Sequence, residues 1–144
     1  MADIFDLAKY ILEKTGPIST WKLQKLCYYA QAWSLAWTEK ELVPEEFQAW
    51  RNGPVCPELF YAHKGAFSIS AGKLSRGSSD ALTEDQKDTV DAVLREYGSL
   101  EPFELRELTH SEDPWKNARG SLPEYSACDA VIPKTAMGEY YGSL

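Results

Sequence analysis

The sequence has no dense run of lysine or arginine, no apolar stretch long enough to cross a bilayer and no two cysteines at CxxC spacing. Each absence excludes something. Nucleic-acid binding draws its affinity from neutralised phosphates and needs a basic face. Here 22 acids outweigh 15 bases, for a net charge of −7, so no direct nucleic-acid partner is expected. A bilayer span needs about 20 consecutive apolar residues, and none is present, so no membrane partner is expected. The N-terminus, MADIFDLAKYILEK, is acidic and amphipathic and lacks the basic start and small-residue cleavage site of a signal peptide. A cytoplasmic protein is the expectation. The cysteines, Cys27, Cys56 and Cys128, are odd in number and widely spaced, which argues against a disulfide framework or a zinc site. GxSxG, HExxH, Walker A and GxGxxG are all missing, so no enzyme signature stands out and no cofactor or metal is expected.

What is present is a hydrophobic fraction of 44% in 144 residues, enough to bury a core within one domain spanning residues 1–144. The class reads as mainly α, a compact helical domain with at most a small β element. Residues 3–15 carry apolar side chains at helical spacing and end at Gly16-Pro17. Ser19 or Thr20 can cap a second helix running to about Thr38. Leu23, Leu26, Cys27, Ala30, Trp33 and Trp37 share one face of it; Trp21, Tyr28, Tyr29, Ala32 and Leu35 share the other. Only Gln24, Gln31 and Thr38 make a narrow polar seam. A helix apolar nearly all round sits at the centre of a domain, with Trp21, Trp33 and Trp37 expected in the core.

Further along, Asn52-Gly53 would suit a hairpin turn, but Pro54 cannot donate to a ladder, so a stiff turn into a helix starting near Pro57 is the better reading. Leu59, Phe60 and His63 should face inward from that helix. Residues 65–82 are Gly/Ser-rich and read as a loop with a short strand near Phe67–Ile69. Thr83 and Gln86 form a capping box, Pro102 opens another helix, Asp113-Pro114 a third with Asp113 as cap, and Pro133 a last one through Tyr141.

Two clusters invite a chemical reading. Cys56 and His63 lie seven apart, too far for a direct bond on one regular helix. His110 beside Glu112 and Asp113 has the residue types of a general base or metal site, against the simpler role of a histidine bonding a loop or helix end. Trp50, Phe60, Tyr61, Tyr140 and Tyr141 fall near turns or chain ends, where partly exposed aromatics serve as protein-binding anchors.

The stretch KLQKLCYYAQAW, Lys22 to Trp33, followed by Ala49-Trp50, Gly53-Pro54-Val55, Pro57, Leu59 and Tyr61, then Thr109-His110 and Pro114-Trp115, resembles the Panacea domain family of SocA-like and GepA-like phage-associated proteins. The resemblance covers roughly residues 4–119 in order; Cys27 stands where the family often has an aliphatic residue, and 120–144 is an extension of open role. What it implies is an antitoxin that neutralises a cognate protein toxin by direct binding. Toxins of such pairs include alarmone-synthetase-like enzymes that modify tRNA, and membrane-active peptides. One branch of the family implies an alternative, an adaptor that delivers its toxin to a AAA+ protease. A small enzyme using His110 and nearby acids is a second alternative. The motif residues Lys22, Leu23, Leu26, Tyr28, Tyr29, Gly53, Pro54, Val55, Pro57, Leu59, Thr109, His110, Pro114 and Trp115 read as mostly structural. Lys25, Gln31, Trp50, Arg51 and Tyr61 are the expected exposed or half-exposed partner-binding residues. An acidic surface would suit a basic face on the toxin.

Overall fold

The Asp3 carboxylate accepts from the backbone N–H groups of Phe5 and Asp6, and Asp6 accepts in return from Asp3 N–H, so α1 (Ile4–Thr15) begins with its first donors satisfied. The computed structural model describes residues 1–144. A two-residue strand, β1 (Ile18–Ser19), pairs antiparallel with β4 (Ser68–Ile69) and hands Ser19 on as the cap of α2 (Thr20–Thr38). The protein is mainly α. Helix α2 is the axis around which α1, α4 (Glu84–Tyr97), α5 (Pro102–Ser111) and α7 (Lys134–Gly142) pack. Its residues 23–32 are all buried. No helix is long and apolar enough to cross a membrane.

The polar residues of α2 point inward, and the expectation that Gln31 and Lys25 are exposed is overturned. Gln31 Oε1 accepts from the N–H of Leu42 (2.7 Å) and Val43 (3.1 Å), and its Nε2 donates to Val43 O at 2.8 Å. Gln24 treats Cys56 the same way, accepting from its N–H at 2.9 Å and donating to its carbonyl at 3.2 Å. Each amide side chain stands in for a missing strand, pairing loop backbone that would otherwise be buried without partners. Trp37 departs from expectation in the opposite direction: it is 53% exposed, because the last turn of α2 runs past the core, while Trp21 and Trp33 are half-buried.

A hairpin does form. β2 (Gln48–Trp50) pairs antiparallel with β3 (Gly53–Val55), Ala49 opposite Pro54, with Arg51-Asn52 as the two-residue connection. Ala49 N–H points away from β3, to Ala130 O at 2.8 Å. The Ala49–Pro54 pair is therefore a non-hydrogen-bonded one, and the N–H that proline lacks is not needed. Helix α3 (Pro57–His63) follows, with Leu59 and His63 buried and Phe60 half-buried. The Thr83–Gln86 capping box opens α4 as the sequence indicates. Helix α6 spans Asp113–Arg119; Glu112, not Asp113, holds the cap position, and Asp113 is the first helical residue.

Residues 120–144 fold back onto the domain. Ile132 N–H bonds Phe47 O at 2.8 Å and Ala49 N–H bonds Ala130 O, so Val131 forms an isolated antiparallel bridge with Gln48 of β2. Helix α7 packs on α2, with Gly138 and Gly142 against Leu35 and Ala36. Tyr141, expected to be partly exposed, is 1% exposed instead. Its ring meets those of Tyr28, Tyr29 and Trp33 at 5.4 to 6.2 Å, and its hydroxyl donates to Glu112 at 2.7 Å. Tyr29 also donates to Glu112 (2.7 Å) and stacks on Tyr97 at 4.0 Å, and Trp33 Nε1 donates to the Tyr97 hydroxyl. Burial raises the Glu112 carboxyl above its ordinary value, opposed by the two tyrosine donors.

Candidate functional site

The family-like motifs converge on one spot beneath the β2–β3 turn. Lys25, 1% exposed, extends from α2 to Pro54 O at 3.3 Å and sits 5.1 Å from the Trp21 ring centroid, with no carboxylate in reach. Burial, with the Arg106 charge adding to it, lowers its pKa to about 7. Gly53 has φ 115, and a Cβ there would fall 2.3 Å from Lys25 Cε and 3.2 Å from Thr109 Oγ1. Only glycine lets the turn close over the lysine stem and α5 together. Trp115, on α6, donates from Nε1 to Trp50 O at 2.9 Å and stacks on His110 at 3.8 Å. The distant sequence elements thus act as one buttress under the hairpin.

Above the buttress lies an aromatic surface. Phe60 meets Trp50 edge-on at 4.9 Å, Trp21 at 6.5 Å and Tyr61 at 5.7 Å. Trp50 Nε1 donates to Gln48 Oε1 at 2.8 Å, which satisfies the indole within the hairpin. Trp21, Trp50 and Phe60 floor a groove of about 620 Å³, with Arg51 and Asn52 on one wall and Ala127, Cys128 and Asp129 on the other. Of the five residues expected at a partner surface, Trp50 and Arg51 line this groove and Tyr61, 70% exposed, stands beside Phe60. Lys25 and Gln31 do not belong to it as surface residues; both are buried in α2.

Sequence reasoning missed Arg119. It is 4% exposed, donates to Ala49 O at 2.9 Å and reaches the carbonyls of Pro123 (2.9 Å), Glu124 (3.2 Å) and Ser126 (2.5 Å). One guanidinium therefore ties the loop carrying the second wall to the hairpin carrying the first. The position of an arginine in the last turn of a helix near a polar loop is a weak hint of this role at most.

The chemical clusters resolve differently from their sequence appearance. Gln24 Nε2 donates to His63 Nε2 at 3.0 Å, so the amide stands between His63 and the Cys56 backbone, and burial lowers the His63 pKa. Burial pushes the Cys56 thiol up to about 12, so it is no thiolate near neutral pH. The acids next to His110 in sequence do not meet it: Glu112 faces Tyr29 and Tyr141, while His110 Nδ1 pairs with Glu124 Oε1 at 2.9 Å. His110 Nε2 is buried with no hydrogen-bond partner. Burial lowers the His110 pKa, opposed by Glu124. No cluster of three or more His, Cys, Asp and Glu side chains is placed to hold a metal ion.

These features describe a mainly helical domain, in which one buried helix carries a buttressed hairpin and an aromatic groove. The chain belongs to the SocA-like antitoxin family: the family described as "Antitoxin SocA-like, Panacea domain" matches residues 23–116, from the first core leucine of α2 to the first turn of α6. Comparison with curated proteins and with solved structures gives no match.

Proposed function

We propose that the protein is the antitoxin of a two-component pair and neutralises its cognate protein toxin by direct, non-catalytic binding in the cytoplasm, with residues 1–144 acting as one unit. Family membership supports the antitoxin role. The observation that carries the binding reading is the aromatic surface formed by half-buried Trp50 on the braced hairpin with half-buried Phe60 and exposed Tyr61 on α3. Aromatic residues in that state are typical interface anchors. Trp50, Arg51 and Tyr61 are the proposed contacts. The exposed acids of α4, Glu84, Asp85 and Asp88, add a negative face that would speed encounter with a basic toxin. An alarmone-synthetase-like, tRNA-modifying enzyme is a toxin of the class the family implies.

Co-expression with the product of the adjacent open reading frame tests the reading. Growth is restored by the antitoxin, and a stable complex is recovered on purification. Persistent toxicity with every neighbouring product would end the proposal. Adding a AAA+ protease to the purified complex separates blocker from adaptor, since a blocker protects its toxin and an adaptor speeds its loss.

A further inference from the structure

A second depression, of about 420 Å³, lies between α3 and the segment that reaches β2 at Val131. Every charged group lining it is a carboxylate: Glu45, Glu46 and Glu58. None of the three belongs to an ion pair, and Glu46 makes no hydrogen bond. Lys134 reaches the rim at Pro44 O (2.8 Å), but its charge is spent on Glu41 at 3.1 Å, so three negative charges stay uncancelled. Burial raises the Glu45 carboxyl above its ordinary value, the charges of Asp3 and Glu58 add to the rise, and only main-chain donors oppose it. The other walls are apolar. Tyr61, 70% exposed, follows Glu58 by three residues on α3, so ring and carboxylate share one helix face; Pro57 and Val131 stand beside them. A flat ring among carboxylates suits a guanidinium or an ammonium group.

The main chain alongside is open as well. Ala130 O and Ile132 N–H are taken by β2, so the alternation of an extended chain turns Val131 N–H and C=O outward, where neither has a partner. The far edge of the hairpin is closed, because Gln24 pairs with the Cys56 backbone and Lys25 with Pro54 O. A free main-chain donor and acceptor next to a side-chain pocket is how an extended polypeptide is captured.

We infer that this depression takes a basic side chain, arginine or lysine, carried on an extended segment of the partner protein, with the charge between Glu46 and Glu58 beside Tyr61 and the main chain against Val131. That the partner is the toxin rests on the toxin-binding reading above; the selection of a cation does not. An acidic segment or a phosphate backbone would bring like charge to three unneutralised carboxylates.

The test uses the full chain and the blocked pentapeptide Thr-Val-Arg-Val-Thr, compared by amide NMR shifts with the same peptide carrying citrulline, the uncharged isostere, or glutamate in place of arginine. The arginine peptide binds about tenfold more tightly than the citrulline one, the gap narrows as salt is raised, and the glutamate peptide gives no shifts. Shifts centre on Glu46, Tyr61 and Val131. Glu46→Gln combined with Glu58→Gln brings the arginine peptide down to the citrulline level; both positions are exposed, so the fold stays intact by circular dichroism. Equal affinities for arginine and citrulline, an unaffected double variant, or shifts elsewhere would overturn the inference. The double variant is then measured against the co-expressed toxin, whose binding weakens about tenfold. If growth is rescued and the variant changes neither peptide nor toxin binding, the cation site fails and the antitoxin reading stands. If the peptides behave as stated and no toxin is neutralised, the antitoxin reading fails and the cation site stands.

Discussion

Two aromatic clusters pack along α2, and they are finished in opposite ways. Around Glu112, the rings of Tyr28, Tyr29, Tyr97 and Tyr141 are enclosed and each hydroxyl has a partner. Around Phe60, the rings of Trp21, Trp50 and Tyr61 stay open to solvent on at least one side. The residue types are alike; the difference is what covers them. α7 closes the first cluster with one tyrosine, whereas the loop at 127–129 stops short of the second and leaves a groove. A ring whose polar end is satisfied internally can serve either as core or as anchor, and the neighbouring chain decides which.

The comparison can be broken from either side. The largest effect is expected in the closed cluster: Tyr141→Ala removes the ring between Tyr28, Tyr29 and Trp33 and should cost about 3–5 kcal/mol in urea unfolding. A loss below 1 kcal/mol would mean that α7 is an ornament on the fold. Next comes the open cluster, where Tyr61→Ala should shift stability by no more than about 0.5 kcal/mol and yet weaken toxin binding by about tenfold in calorimetry. An unchanged dissociation constant would remove Tyr61 from the interface.

The smallest effect distinguishes charge from shape at Glu112. Its folded pKa is raised by burial, so its contribution to stability is full below the unfolded carboxylate value of about 4.3 and is lost as pH rises through the folded value. In Glu112→Gln the single oxygen that accepts from both tyrosines is retained. The variant should match the parent at acid pH and gain on it as pH rises above about 4.3, read as a growing difference in Tm. A difference independent of pH would place the effect in packing rather than ionisation.

Much of this architecture is legible in the sequence where the signal is local. Ser19, the Thr83–Gln86 pair and Pro57 mark helix starts because each acts on backbone within one turn of itself. Gln31 and Lys25 misled because their partners, Val43 and Pro54, lie on other segments; a polar side chain on an apolar helix looks solvent-facing until a loop is placed against it. Pro54 misled because the cost of a missing N–H depends on which way that position faces in the ladder, and only the register shows it. The groove was half visible: Trp50 and Arg51 could be named beside the Asn52-Gly53-Pro54 turn, but the wall at 127–129 is brought there by Arg119 across a stretch with no periodic pattern.

The grip of Arg119 separates two variables that a binding protein usually has to change together. The floor of the groove belongs to segments inside 23–116 or directly before it, while the opposing wall is carried on a loop beyond that span. Residues 127–129 can change in size or charge while Arg119 keeps its hold on the carbonyls of Pro123, Glu124 and Ser126 just before them. The molecule is in effect a vice with one fixed jaw and one exchangeable jaw. Reshaping the exchangeable jaw is a matter of three residues, Ala127, Cys128 and Asp129, with the helical body left as it is.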